Sequence, residues 1–518
     1  MLFLSLVLTA HGAELHVDAG ASIQAVLNEA EPGDRILIAA GTYEEDLSTE
    51  TEGEADSPIT VVAVEPGAVI ITSPGEVLQV DHAHWHFEDL IFDGQFGTAD
   101  VLDINDDAHH LNLLSVEIRN SGRDCIDMGA PTGVRITNSS IHHCLHYDSG
   151  DESRQDAHGI VAGAVQDLQI TDTDIHTFSG DGLQLGPSRE EPGWNDVVIT
   201  GSRIWLEPLA EDVNGFFAGQ VPGENAVDTK TPAGGERANL TIEDTEVWGF
   251  RDGVDFSNQA ALLLKENVNA VVRRTHIHSS EIGLRVRGPS DVRPEGAHVR
   301  VVSSVIEAVD VAVRYEDDIE KLDLWHVTFG AAIDEMFRDV SADETEATVL
   351  NSLFVADVLP EEATSAETNA IATEEDFVDM ESGDYHLSDS SDAIDRGSPI
   401  TEVTRDMDGN DRTIGDAPDL GAYEWGQTDD TGDYDADTGL DDADPDDADP
   451  DSDEEIVVDD TGVNEVDTPV GGIGAADAVG EKGGCGCTAQ AGSTRWTALV
   501  LVMLALIKRR RHPEPVEQ

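Results

Sequence analysis

Positive charge is what this chain of 518 residues has least of. Its 29 Lys and Arg stand against 107 Asp and Glu, a formal net charge of -78. A mean field of that sign repels phosphate, which excludes non-specific binding to nucleic acid. The acidity is not confined to one tail: residues 427–518 hold about -17 and the remainder about -61. A surface adapted to salty surroundings accounts for it, and a set of divalent-cation sites is the competing reading. Long apolar runs are missing too. The stretch from Trp496 to Ile507 is about 12 residues, too short for a comfortable permanent membrane span. Cysteine is limited to four residues. Of these, Cys125 and Cys144 could form a disulfide in an oxidising compartment or remain two buried thiols. No paired-carboxylate motif specific to glycoside hydrolysis stands out.

What is present is a repeat. Between about Ala83 and Leu350 an apolar alternation, a polar turn, a second apolar strand, another turn and a third strand recur. Val134 and Ile136 precede Ile141, Leu168 and Ile170 precede Ile175, and Val197 and Ile199 precede Ile204. Leu240 and Ile242 then precede Val247. Copies start roughly 28 to 43 residues apart, with Gly, Pro, Asp and Glu in the excess loop. Strand-sized pieces at a near-regular period with no helix-period stretch between them mean a solenoid of strands, whose core exists only because coils stack. Before the repeat come Ser22-Ile23-Gln24-Ala25-Val26-Leu27, Pro32-Gly33-Asp34, Ile36-Leu37-Ile38 and Gly41-Thr42-Tyr43. These read as a short amphipathic helix, a turn and a first strand that cover the open N-terminal end.

This pattern resembles the right-handed parallel β-helix of pectate-lyase-like proteins, over roughly half the chain. The expected fold class is therefore all-β, a right-handed parallel β-helix solenoid with an N-terminal cap, over residues 14–360. Residues 1–13, apolar and ending in small residues, read as a secretory signal peptide. Residues 361–426 include Asp406-Met407-Asp408-Gly409-Asn410 and Asp419-Leu420-Gly421-Ala422-Tyr423-Glu424. They resemble a small module found before surface anchors in bacterial β-helix proteins, and their acidic residues are expected to make turns. Residues 427–482 form an acidic spacer that cannot bury enough surface to fold. Residues 483–518 carry Cys485-Gly486-Cys487, a short apolar helix and Lys508-Arg509-Arg510-Arg511. That order resembles a myxobacterial C-terminal sorting signal. It implies a secreted protein anchored at the cell surface, on the outer membrane, that meets membrane only through this tail; the chain is expected to be a monomer.

In a stack of coils the same repeat position forms a column. Asp124, His158, Asp181 and Asn225 fall in one turn column just before a strand. Met128, Ala162, Leu185 and Thr229 point inward. The outward column is Asp127, Val161, Gln184, Asp228, Leu263, Arg285 and Arg314, and beside it runs Gly129, Gly163, Gly186, Lys230, Lys265 and Arg287. Residues 261–315 hold about 8 bases and 6 acids, an excess of scarce positive charge that an anionic polymer would need. For a uronate polymer the chemistry is β-elimination: a base takes the C5 proton while a cation neutralises the adjacent carboxylate. The arrangement is similar to that of β-helix polysaccharide lyases, which use a Lys or Arg base beside acidic calcium ligands. The resemblance implies Lys230 and Arg287 as catalytic groups, with the Lys230 pKa lowered by Lys265 and Arg287. It implies Lys265, Arg285, Arg314 and His158 as substrate contacts, and Asp124, Asp181 and Asp228 as ligands of a Ca2+ cofactor. The competing readings are ladder hydrogen bonds for the turn residues, an ion-pair row for the bases, and a non-catalytic, glycan-binding or adhesin-like surface protein. Trp194, Trp205, Phe216, Phe217 and Trp248 could stack sugars or seal loops.

Overall fold

The structure is a computed structural model that describes residues 12–426 apart from 151, 233, 235, 290–294, 318, 320, 342–346 and 367. The expected signal peptide up to residue 11, the acidic spacer 427–482 and the sorting tail 483–518 lie outside the described residues.

The repeat folds as a parallel β-helix with three walls. One coil contributes Asn112–Leu114, Glu117–Ser121 and Ile126–Met128. The next contributes Arg135–Thr137, Ser140–Cys144 and Ile160–Ala162. The first two walls join in a 24-stranded sheet, and the third is an 11-stranded sheet. Strands stack in parallel and in register, so that Leu113, Ile136, Ile170, Ile199, Ile242 and Val272 form one inward column. These side chains are essentially inaccessible to solvent. Alternation places every second residue inside, and branched side chains pack well on the pleat.

The corner between the first two walls explains the recurrent Asn, Asp and Gly. Asn138, Asp172, Gly201 and Asp244 all hold φ between 49° and 60°, the left-handed region that these residue types tolerate best. A buried hydroxyl follows each. Ser139 Oγ accepts from Val116 N at 3.2 Å, and Ser202 Oγ accepts from Thr173 N at 3.1 Å. Each coil thus satisfies a backbone donor of the coil before it.

A helix, Ile23–Leu27, follows the first strand and buries Ile23 and Leu27; the Ser22 hydroxyl accepts from Ala25 N at its start. In two coils the connection from the second wall to the third is long. A hairpin of His146–Asp148 and Ser153–Gln155 meets the segment between Trp205 and Val227. Arg154 donates to Gly215 O and Gln220 Oε1, at 3.2 and 3.1 Å. Cys125 and Cys144 are joined in a disulfide with Cα atoms 5.5 Å apart. The stack continues past residue 360, because Ala370–Ala372 pairs in parallel with Leu353–Val355. Three residues of Ala and Ile gave little strand signal. Tyr385, Leu387, Leu420 and Ala422 then pack with Val305 and Leu353 of the last coils.

Candidate functional site

The third wall carries the charged columns. Asp127, Val161, Gln184, Asp228, Leu263, Arg285 and Arg314 stand opposite one another on successive strands. The inward set Met128, Ala162, Leu185 and Thr229 is buried. Arg338 extends the outward column beyond Arg314, and Asp103 precedes Asp127. The wall therefore runs from acidic at its early coils to basic at its late ones.

Asp228, Lys230 and Lys265 meet at its centre. Lys265 Nζ lies 2.8 Å from Asp228 Oδ1 and 3.1 Å from Oδ2, and Lys230 Nζ lies 3.3 Å from Oδ2. All three side chains are less than one-fifth exposed. Alternation puts Asp228 and Lys230 on one side of their strand, and stacking brings Lys265 over them. Trp194 Nε1 donates to Lys230 O at 2.8 Å, and the Thr229 hydroxyl donates to Lys265 O at 2.9 Å. Both backbones are thereby fixed. Burial works to raise the Asp228 pKa, but Lys265 and then Lys230 outweigh it, so the carboxyl is held below its ordinary value. Burial works to lower the Lys230 pKa, and the Asp228 and Asp181 carboxylates outweigh it in turn. Lys230 is raised. The expected lowering by Lys265 and Arg287 is corrected, because the nearest charge on Lys230 is an anion.

Two further carboxyls, Glu224 and Asp156, face this cluster. Glu224 is pushed up to about 8 by burial and by Asp181 and Asp228. Asp156 is raised, chiefly by burial, with the Asp181 carboxylate adding to it. The signal for Glu224 was its place in Glu224-Asn225-Ala226-Val227-Asp228-Thr229-Lys230, one residue before the turn column. At the early end of the wall, burial and neighbouring carboxylates push Asp100 up to about 8, and Asp103 and Asp127 up to about 6.

The turn column is a ladder. His158 N donates to Asp124 Oδ1 at 2.7 Å, and Asp181 N donates to His158 Nδ1 at 2.7 Å. Asn225 Nδ2 donates to Asp181 Oδ1 at 2.8 Å, and Ala260 N donates to Asn225 Oδ1 at 3.0 Å. His158 is 4% exposed, so its expected contact with substrate is corrected: its ring serves the next coil. The expected calcium ligands do not fit the ion either. Asp124 and Asp181 are spent in the ladder, and two ammonium groups beside Asp228 oppose a third cation there. Among the described residues the one group of three or more His, Cys, Asp or Glu with converging donor atoms is Glu246, His276 and His278.

The late bases are brought together and paired. Arg285, Arg287 and Arg314 all reach Glu316, at 2.9, 3.1 and 3.2 Å, and Arg287 also reaches Asp317 at 3.0 Å. Arg287 is the most open of them at 41%. It pairs away from Lys230, so its expected catalytic place is corrected as well. Of the aromatic residues, Trp194 and Phe216 are buried and Phe217 is exposed. Trp205 and Trp248 stack on each other at 4.9 Å between His176 and His278, which covers their faces. The Asp406 carboxylate is buried and accepts from Asp408 N and Asn410 N, a turn as expected.

Comparison with known proteins places the chain among similar folds. A family model described as Chondroitinase B matches residues 17–115. No curated protein matches. A pectate lyase, Pel9A, is similar over 80% of this chain and 96% of its own, at 14% identity and a TM-score of 0.43. An alginate lyase from Paenibacillus sp. str. FPU-7 is similar over 65% of this chain and 99% of its own, at 16% identity and a TM-score of 0.41. A mannuronic-acid-specific polysaccharide family 6 lyase from human gut microbiota covers 70% of this chain and 92% of its own, at 14% identity and a TM-score of 0.37. The chemistry has to be argued from the third wall.

Proposed function

We propose that this chain acts on polysaccharide, cleaving a uronate polymer by β-elimination at the Asp228, Lys230 and Lys265 cluster. The observation that carries this reading is the cluster itself: two ammonium groups and a carboxylate, all largely buried, on outward positions of one wall. Buried charge with displaced pKa values is costly to hold and marks functional sites.

Lys265 is the partner for the substrate carboxylate, where its positive charge steadies the negative charge that develops at C5. Lys230, in its unprotonated form, takes the C5 proton. The C5–H electron pair becomes the C4–C5 double bond as the C4–O4 bond breaks, and O4 takes a proton from Glu224. The raised pKa of Glu224 keeps that proton available near neutrality. Because Asp228 raises the Lys230 pKa, only a small fraction of Lys230 is unprotonated at neutral pH, and turnover rises with pH until Glu224 loses its proton near 8.

The test is the ultraviolet absorbance of the unsaturated product with pectate, alginate and other uronate polymers, across pH 6 to 10. The expected result is a rise that grows up to about pH 8 and levels off above it, where Glu224 loses the proton it must donate, and a loss of about 10³-fold or more in Lys230→Ala. No rise on any polyuronate would sink the reading. A second reading, glycan binding without cleavage, draws on the pairing of Arg285, Arg287 and Arg314 with Glu316. It predicts polymer retention by the protein with no new absorbance.

A further inference from the structure

The second wall, away from the Lys230 cluster, carries a group of a different chemical kind. His276 and His278 are two apart on the strand His276–His278, so alternation sends both rings to the same outward side. Their ring centroids are 4.6 Å apart. Glu246, one coil earlier, stands opposite His276 in the register, yet its Oε1 crosses to within 3.1 Å of His278 Nε2. Glu307, one coil later, stands opposite His278, and its Oε1 lies 3.1 Å from His276 Nε2. Donor atoms of Glu246, His276 and His278 all lie within 4.8 Å of one another.

We propose that Glu246, His276 and His278 form a binding site for a borderline divalent transition ion of the Zn2+ type. Two imidazoles and one carboxylate are a donor set that suits such an ion and suits the harder Ca2+ and Mg2+ poorly. Zn2+ holds nitrogen and oxygen at about 2.0–2.2 Å, so its tetrahedral donors sit roughly 3.3–3.5 Å apart, a small rotamer adjustment from the present spacing. The surroundings already orient the rings. His276 Nε2 faces Glu307, whose other oxygen accepts from the Tyr385 hydroxyl at 2.6 Å. His278 Nδ1 faces the Ser279 hydroxyl at 3.0 Å. Each imidazole therefore has one nitrogen tied to an outer partner, leaving His276 Nδ1 and His278 Nε2 for the ion, the carboxylate–histidine–metal arrangement. Trp248 stacks almost parallel to His278 and limits its rotation. The nearby Arg203 is bound to Asp174 at 2.5 Å, which blunts its repulsion of a cation.

Three protein ligands leave a fourth position for water. The ion would add a cross-link between two neighbouring coils, beside the ion pairs of Arg273 with Glu243 and Arg274 with Asp244. The full chain, freed of metal with a chelator, is titrated with Zn2+ by calorimetry and then examined with Co2+ by absorption. The expected result is one ion held with micromolar or tighter affinity, unaffected by excess Ca2+, and a melting temperature raised by the ion. His276→Ala and His278→Ala should each weaken binding at least about tenfold. Cys485 and Cys487 are a rival location for a soft ion, and the Co2+ spectrum separates the two by the presence or absence of thiolate charge transfer. His276→Gln and His278→Gln keep polar groups on the wall and serve if the alanine variants fail to fold. Unchanged affinity in folded His276 and His278 variants, binding weaker than millimolar, or a thiolate spectrum for the first ion would each overturn the proposal.

Discussion

At the scale of single residues, the decisive fact is that Asp228 lies between two ammonium groups. The sequence placed Asp228 and Lys230 on one side of a strand and Lys265 above them, and the structure agrees. What the sequence did not reveal is which neighbour would dominate. A column of bases suggested mutual repulsion and a lowered Lys230, whereas the Asp228 carboxylate at 3.3 Å, together with Asp181, outweighs burial and raises it. Coulomb energy falls with distance, so the sign of a shift is decided by the nearest charge, and nearest-neighbour distances are not written in a column alignment. Asp228→Asn exposes this directly. It removes the anion and leaves two ammonium groups face to face, so the Lys230 pKa falls and the rise of activity with pH moves to lower pH. The same change leaves buried charge uncompensated and should cost about 3–5 kcal/mol at neutral pH. A pH profile that does not move, measured on the folded variant, contradicts the assignment of Lys230 as base.

At the scale of the strand and turn, most of the architecture was legible. Period-two alternation gave the inward and outward sets, and the Asn, Asp or Gly at each corner gave the point where the chain bends. The turn column was read both as a ladder and as a calcium site, because an Asp that binds calcium and an Asp that accepts a backbone N–H look alike in sequence, and the structure shows the ladder. The long connections from the second wall to the third were also opaque: Arg154 finds Gly215 across 61 positions, a contact with no local signature. The ladder makes its own prediction at Asn225, whose amide bridges two coils by giving to Asp181 and accepting from Ala260 N. Asn225→Ala leaves a buried donor unsatisfied and should cost about 1–3 kcal/mol in urea unfolding. Asn225→Asp preserves the shape and the acceptor but sets a carboxylate against Asp181. It should be no better than alanine above pH 6 and recover as the pair takes up a proton on acidification. An Asp variant as stable as the parent at pH 8 would mean that the ladder is not carried by the amide.

At the scale of the whole molecule, the charge of -78 and the displaced carboxyls act in the same direction. Asp100 and Glu224 titrate near 8 in the folded chain, against about 4 when unfolded. The folded state therefore binds protons that the unfolded state has lost, and stability declines as pH climbs toward 8. His386, flanked by Asp408 and Asp384 at 2.8 and 2.6 Å, is raised to about 9. Its contribution is complete below about 6.5 and disappears as pH passes through 9. Below 6.5 an opposing set enters. Burial lowers His143 to about 4 and His176 to about 3, so the unfolded chain takes up protons there that the folded chain refuses. That loss offsets the gain from Asp100, Asp103, Asp127 and Glu224, and the profile flattens. Thermal melts at low ionic strength should therefore show a plateau from about pH 5 to 6.5 and a fall of roughly 3–6 °C by pH 9. Self-repulsion of the acidic surface adds to the alkaline fall, and 1 M NaCl, with a Debye length of about 3 Å, removes that part alone. The melting temperature should thus gain more from salt at pH 9 than at pH 6, while a residual alkaline decline persists in salt. A melting temperature that rises between pH 6.5 and 9 would show that the carboxyls on the third wall are ionised throughout, and with it Glu224 would lose its place as the proton donor to the leaving group.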